Sequence, residues 1–260
     1  MGLLDLGRPA FHDLRLQLAG REAFARLLQG ELQPTGLPDL DRVLEGGLPS
    51  GALIALEGGG SWSVATALLV QATARGLVAA VDDGSLYPPA LEAAGVDLAR
   101  LLVVHPPREA LAQARAADLL LRPGSFALVA LAAPPVAHPV WQRLALLCER
   151  AGSSLLVIDA TAMGPQAAAP AVVRLRCEIE EGLWEGPPGH LSRLAGYRVR
   201  VVVRKHRRGR IGGEAVIEMR CEGVSDGDSL RLHPLFSVGR RMEGTNRQRY
   251  TADAGGGYGD

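Results

Sequence analysis

The spacing of apolar residues changes character along the chain. Short apolar runs at 52–56, 77–82, 101–105, 126–131 and 154–159 predict strands. Between them, helical spacing at 65–75, 88–94, 108–121 and 139–151 predicts helices. The strand runs do not alternate. Leu155-Leu156-Val157-Ile158 is apolar at every position, the pattern of a strand covered on both faces. Strands alternating with helices of this length imply right-handed crossovers and a mainly parallel sheet. After about residue 170 the pattern predicts antiparallel strands at Val172–Ile179, Leu191–Val203 and Gly213–Met219. The run Arg204-Lys205-His206-Arg207-Arg208-Gly209-Arg210 is expected at the tip of the hairpin joining the last two.

Upstream, residues 9–29 carry Phe11, Leu14, Leu16, Leu18, Phe24, Leu27 and Leu28 at near-helical spacing among charges, and Gly30 is a stop signal. This amphipathic helix either packs on its own domain or is a docking arm for another protein, with Phe11, Leu14, Leu18, Phe24 and Leu28 as its contact side chains. From Thr35-Gly36 to Pro49-Ser50-Gly51 the sequence predicts a short helix between turns. Beyond about 236 the chain is charged and glycine-rich, too poor in apolar residues to order itself. The expected organisation is a helical arm at 1–34, a core at 35–235 and a flexible tail at 236–260. The expected fold class is α/β: a mainly parallel sheet, C-terminal antiparallel strands, an N-terminal helical arm and a disordered C-terminal tail.

Composition narrows the function. The 260 residues are 47% hydrophobic, ample for one large core. Formal net charge is zero, so no global field attracts polyanions, and an aromatic content of 4% argues against a base-stacking platform. Cys148, Cys177 and Cys221 are far apart and read as buried small hydrophobes or free thiols in a reducing compartment. The six histidines have no metal-ligand spacing, and Ser61 and Ser63 form no nucleophile elbow. No basic-apolar leader opens the sequence and no uncharged run reaches membrane-spanning length, so the expectation is a cytoplasmic protein without metal or membrane partners.

The candidate chemistry sits between the first strand and the first long helix, at Glu57-Gly58-Gly59-Gly60-Ser61-Trp62-Ser63-Val64-Ala65-Thr66. A working phosphate loop reads G-x-x-x-x-G-K-[ST]; its Lys reaches the β/γ-phosphates and its hydroxyl holds Mg²⁺. Counted from Gly58, the second Gly is Ser63, the Lys is Val64 and the Ser/Thr is Ala65. Valine cannot neutralise a phosphate and alanine cannot ligate a metal. The frame of a nucleotide site is present without its reactive groups, so the expectation is no cofactor and no ATPase activity.

Across roughly residues 35–222 the chain resembles the RecA recombinase fold. The resemblance rests on Thr35-Gly36, Leu40-Asp41, Gly46-Gly47-Leu48-Pro49-x-Gly51, Gly95-Val96-Asp97 before Leu101-Leu102, and Val173-Arg174-Leu175-Arg176 followed by Arg198-Val199-Arg200-Val201. The strand matching Walker B, Phe126 to Ala132, ends without an acid, and Asp82 or Asp83 lies near the position of the family's water-activating Glu. The two loops that hold single-stranded DNA in RecA recombinases are reduced to about 133–139 and 160–170. An inactive RecA-like core with a helical N-terminus and a short tail is similar to the ImuA family of bacterial DNA-damage-response proteins. That resemblance implies a nucleoid-associated accessory role in the SOS response, induced mutagenesis and error-prone translesion synthesis. The implied partners are the RecA recombinase and ImuB, an inactive polymerase relative.

Residues 198–210 contain seven Lys/Arg that form the candidate nucleic-acid site: Arg198, Arg200, Arg204, Lys205, Arg207, Arg208 and Arg210. The cluster fits DNA, single- or double-stranded, an acidic partner surface, or a solvated hairpin. Trp62 in the degenerate loop either fills the phosphate space or packs at the surface. Trp141 is expected in the core, and Trp184 on an exposed connection. Three functions stay open: a non-catalytic adaptor, an ATPase with an unconventional site, and a standalone DNA-binding protein.

Overall fold

In a computed structural model of the protein, the described residues are 31–84, 86–159, 170–186, 193–207, 209–220, 222–223 and 230–231. Residues 1–30 of the predicted N-terminal arm, Cys221, Arg208, most of the 160–170 loop and the tail from 236 lie outside them, while residues 32–33 of that predicted helical arm are strand. An eight-stranded sheet organises the chain. Its parallel part comprises β3 (Leu53–Glu57), β4 (Val78–Val81), β5 (Leu101–Val104), β6 (Leu128–Ala132) and β7 (Ser154–Ile158). β8 (Val173–Glu185) runs parallel to β3, then pairs antiparallel with β9 (Arg193–His206), and β9 with β10 (Glu214–Arg220). The strand order is β10-β9-β8-β3-β7-β6-β4-β5, so β3 is central.

Both faces of the parallel part are covered, the reason its strands read as uninterrupted apolar runs. On one face lie α1 (Pro38–Val43), α2 (Ser61–Arg75) and α3 (Pro88–Ala93), which bury Leu40, Val64, Leu68 and Leu91 against Ile54, Leu56, Leu175 and Val201. On the other lie α4 (Ala110–Leu121) and α5 (His138–Ala151), which bury Leu121, Trp141 and Leu144 against Leu53, Ala55, Val129 and Val157. α5 starts with Pro139 in its first turn and stops at Gly152 in the left-handed conformation, φ +71°. Between these two helices Asp118, nearly buried, takes Nε–H bonds from Arg122 and Arg143, both at 2.6 Å. Burial pushes the Asp118 carboxyl up, but the two guanidiniums together outweigh it and hold it below its ordinary value.

Strand and helix positions match the apolar pattern to within a few residues. The shortest elements escaped it. β1 (Leu32–Gln33) and β2 (Leu48–Pro49) form a two-residue antiparallel ribbon, too short for any period. The hairpin strands β8 and β9 also run farther than predicted, because past Cys177 they carry charges on one face and no continuous apolar signal. The short helix expected between 35 and 51 is α1, and Asp41 anchors it by accepting the Thr35 N–H at 2.6 Å and its hydroxyl at 2.8 Å. Among the described residues no helix is long and apolar enough to cross a membrane.

Candidate functional site

The degenerate loop spans Gly58 to Gly60, between the end of β3 and Ser61, the first residue of α2. In open α/β sheets ligands bind at this edge, beyond the carboxyl ends of the strands. A phosphate-binding loop cradles its anion with unpaired backbone N–H groups. Here three of those groups are taken. The Gly60 N–H donates to the Cys177 carbonyl at 3.0 Å, the Ser61 N–H to the Gly58 carbonyl at 3.0 Å and the Val64 N–H to the Gly60 carbonyl at 3.2 Å. The Ser63 hydroxyl shares a hydrogen bond with Tyr197 Oη at 2.9 Å, tying the helix start to β9. Val64 and Ala65, at the Lys and Ser/Thr positions, are each 0% exposed and belong to the core under α2.

The glycines make this closure possible. Gly58 has φ +91°, and a Cβ there would sit 2.5 Å from the Cys177 carbonyl oxygen. A Cβ on Gly60 would sit 2.6 Å from the Val199 side chain. The loop therefore lies flat on β8 and β9. Half-buried Trp62 packs against the same core. Glu57, the last residue of β3, is bonded by the Arg174 guanidinium. The Cys177 thiol beside it is buried and pushed up to about 12, first by desolvation and then by the Glu57 charge. Cys148 is likewise a buried free thiol raised by desolvation. The loop as folded thus offers a nucleoside triphosphate neither these three amides nor a cation.

Acids along the same edge are structural or displaced. Asp82 follows β4, is buried, accepts the Leu86 N–H at 3.0 Å and lies 3.3 Å from His105 Nδ1. Asp83 is the more exposed of the pair. β6 ends at Ala132 with no acid, and residues 133–137 connect it directly to α5. Sequence reasoning passed over Asp159. It follows β7, the neighbour of β3, and holds φ +55°, uncommon for a residue with a side chain. Among the described residues no cluster of His, Cys, Asp and Glu could hold a metal ion.

The basic run is divided by the fold. The expected hairpin tip is corrected: Arg204, Lys205 and His206 belong to β9, and the turn proper begins at Arg207. Arg198 and Arg200 lie on the strand face not packed into the core. Arg198 pairs with Glu181 at 2.9 Å and Glu218 at 3.7 Å; Arg200 pairs with Glu180 at 2.8 Å, Glu178 at 3.4 Å and Glu214 at 3.9 Å. No acid is near them in sequence; the acids arrive from β8 and β10. This acid-rich ladder leaves Arg198 and Arg200 engaged within the protein. Arg204, Arg207 and Arg210 are exposed, and buried His206 accepts the Gly209 N–H to shape the turn. Register also sets where the turn lies. Val173 sits beside Ile54 and opposite His206. The basic turn is therefore at the edge where β3 begins, opposite the edge that carries the degenerate loop.

Lys205 is half-buried, and its ammonium falls to about 8 through desolvation first and then the charges of Arg207 and Arg174. A lysine with a lowered folded value takes up fewer protons folded than unfolded between about 8 and its ordinary value of 10.5, so stability rises with pH across that window. Lys205→Met should remove the rise, read as the urea midpoint from pH 7 to 10.5.

Residues 42–169, just short of half the chain, match the family described as "MT3502 N-terminal domain". No curated protein matches the chain. Among solved structures it is similar to the crystal structure of the RadB recombinase, with 20% identity and a TM-score of 0.53 over 74% of this chain and 96% of that one. The chain has a RecA-like fold.

Proposed function

We propose that this protein is a non-catalytic RecA-like accessory factor of the DNA-damage response, supporting error-prone lesion bypass through fixed contacts with DNA, the recombinase and an ImuB-type inactive polymerase. The observation that carries the non-catalytic reading is the spent phosphate loop: three amides bonded internally, with Val64 and Ala65 buried where Lys and Ser/Thr would act. Without a nucleotide the core runs no ATP-gated switch, and its interactions are set by surfaces. The exposed arginines 204, 207 and 210, with Lys205 behind them, are the DNA-contacting surface of this reading. The N-terminal Phe11, Leu14, Leu18, Phe24 and Leu28 are its protein-contacting surface. The similarity to a recombinase supports the DNA side of the reading, and the sequence resemblance supports the damage-response side.

Two titrations test it. Calorimetry with Mg²⁺-ATP should give no saturable binding at millimolar nucleotide; micromolar affinity sinks the non-catalytic reading and restores the unconventional ATPase. DNA affinity measured against salt should have a slope of about 0.7–0.9 per phosphate contacted. Replacing Arg204, Arg207 and Arg210 by Ser should flatten that slope, and an unchanged slope removes the basic turn from the site.

A further inference from the structure

Lys205 is the only lysine among the 260 residues, and the other cationic side chains, histidine aside, are arginines. A guanidinium stays protonated and is no nucleophile. Lys205 is therefore the one side-chain amine that this sequence offers to an electrophile.

The fold gives that amine cationic neighbours. On β9, Lys205 pairs across from Arg174 of β8, and a register shift there leaves exposed Arg204 as the extra residue beside it. Two residues on, Arg207 is exposed, and its backbone N–H donates to the Val172 carbonyl at 3.1 Å, which holds the turn against the entry of β8. Buried His206 accepts the Gly209 N–H and shapes the rest of the turn, with Arg210 exposed at its end. Arg174 donates its Nε–H to Glu57 at 2.9 Å, so of the two guanidiniums acting on the amine it is Arg207 that faces solvent. Desolvation first, then Arg207 and Arg174, lower the ammonium to about 8. Near pH 8 about half of Lys205 is then neutral amine, against well under one part in a hundred of an ordinary lysine. A lysine activated by burial and by adjacent cations is the setting in which this side chain acts as a nucleophile.

We infer that Lys205 is an acylation site for small acyl phosphates, with Arg204 and Arg207 as the groups that recognise the donor. The neutral amine attacks the donor's carbonyl carbon. The C–N bond forms as the bond from that carbon to the phosphate oxygen breaks, and inorganic phosphate leaves with the electron pair. The nitrogen gives one proton to water, and the lysine ends as an amide. The exposed guanidiniums draw in the anionic donor and stabilise the leaving phosphate. The product turn carries one cation fewer, so its attraction for any polyanion falls.

Acetyl phosphate and a neutral acetyl ester, each added to the full chain at pH 8, test this. Peptide-mapping mass spectrometry separates acetyl-Lys205 from an acetylated α-amine. Lys205 in the folded chain should react with acetyl phosphate about tenfold faster than the same lysine in an unstructured peptide of residues 199–211, because the gain in neutral amine outweighs its lower basicity. That peptide keeps the local arginines and loses the fold. Arg204→Ser with Arg207→Ser should lower the ratio of the acetyl phosphate rate to the ester rate by about threefold or more, the scale of two exposed ion pairs. Taking the ratio cancels any change in the amine itself. A folded rate no greater than that of the peptide overturns the proposal. A ratio unchanged in the double variant also overturns it, because the donor's phosphate is then not recognised. Nucleic acid is absent from the assay, so its outcome is independent of the DNA reading above.

Discussion

Installing the missing lysine, Val64→Lys, should not restore nucleotide binding and should destabilise the protein by on the order of 3–5 kcal/mol. Val64 is 0% exposed within the core formed by α2 and the sheet, and its backbone N–H is bonded to Gly60. An ammonium placed in this apolar cluster must deprotonate, force its way out, or open the loop. Urea denaturation gives the stability loss, and calorimetry on the folded fraction gives the nucleotide result. ATP binding by Val64→Lys at unchanged stability would show that the loop opens at little expense, and the spent amides would then cease to explain inactivity.

Trp141→Ala should be the most damaging truncation on the other face, by about 3–5 kcal/mol. Trp141 is 0% exposed and joins α5 to Val129, Leu155 and Val157 through the second core cluster. Its indole Nε1 has no hydrogen-bond partner among the described residues. Trp141→Phe keeps most of the volume and removes that unmet donor, so it should lose no more than about 1.5 kcal/mol. Equilibrium unfolding in guanidinium separates the two substitutions. A Phe variant as unstable as the Ala variant would mean that the N–H, and not the volume, is what the core uses.

How much of this was legible in the sequence depends on how far apart the cooperating residues lie. The parallel strands, their helices and the burial of Trp141 could be read directly, because periodicity is a local signal: the central strands are covered on both faces and each helix on one. The loss of phosphate chemistry at Val64 and Ala65 was equally legible, since side-chain identity alone removes the charge and the metal ligand. The β1–β2 ribbon was not, since two residues have no period. The fate of the basic run was not either. Residues 198 to 210 hold seven cations with no acid near them in sequence, yet Arg198 and Arg200 are paired with Glu178, Glu180, Glu181, Glu214 and Glu218 from the adjacent strands.

The sequence by itself determined the layering of the core and the absence of a lysine and a metal-binding hydroxyl at the phosphate loop. Only the tertiary structure decided that three amides at the loop are spent on Cys177, Gly58 and Gly60, and that the basic turn lies at the opposite edge of the sheet. It also set the half-buried Lys205 beside Arg174 and Arg207. Hydrogen-bond partners, cross-strand charges and the edge on which a turn emerges follow from strand order and register. Those are set by contacts between residues more than a hundred positions apart, such as Glu57 with Arg174, which no local pattern records.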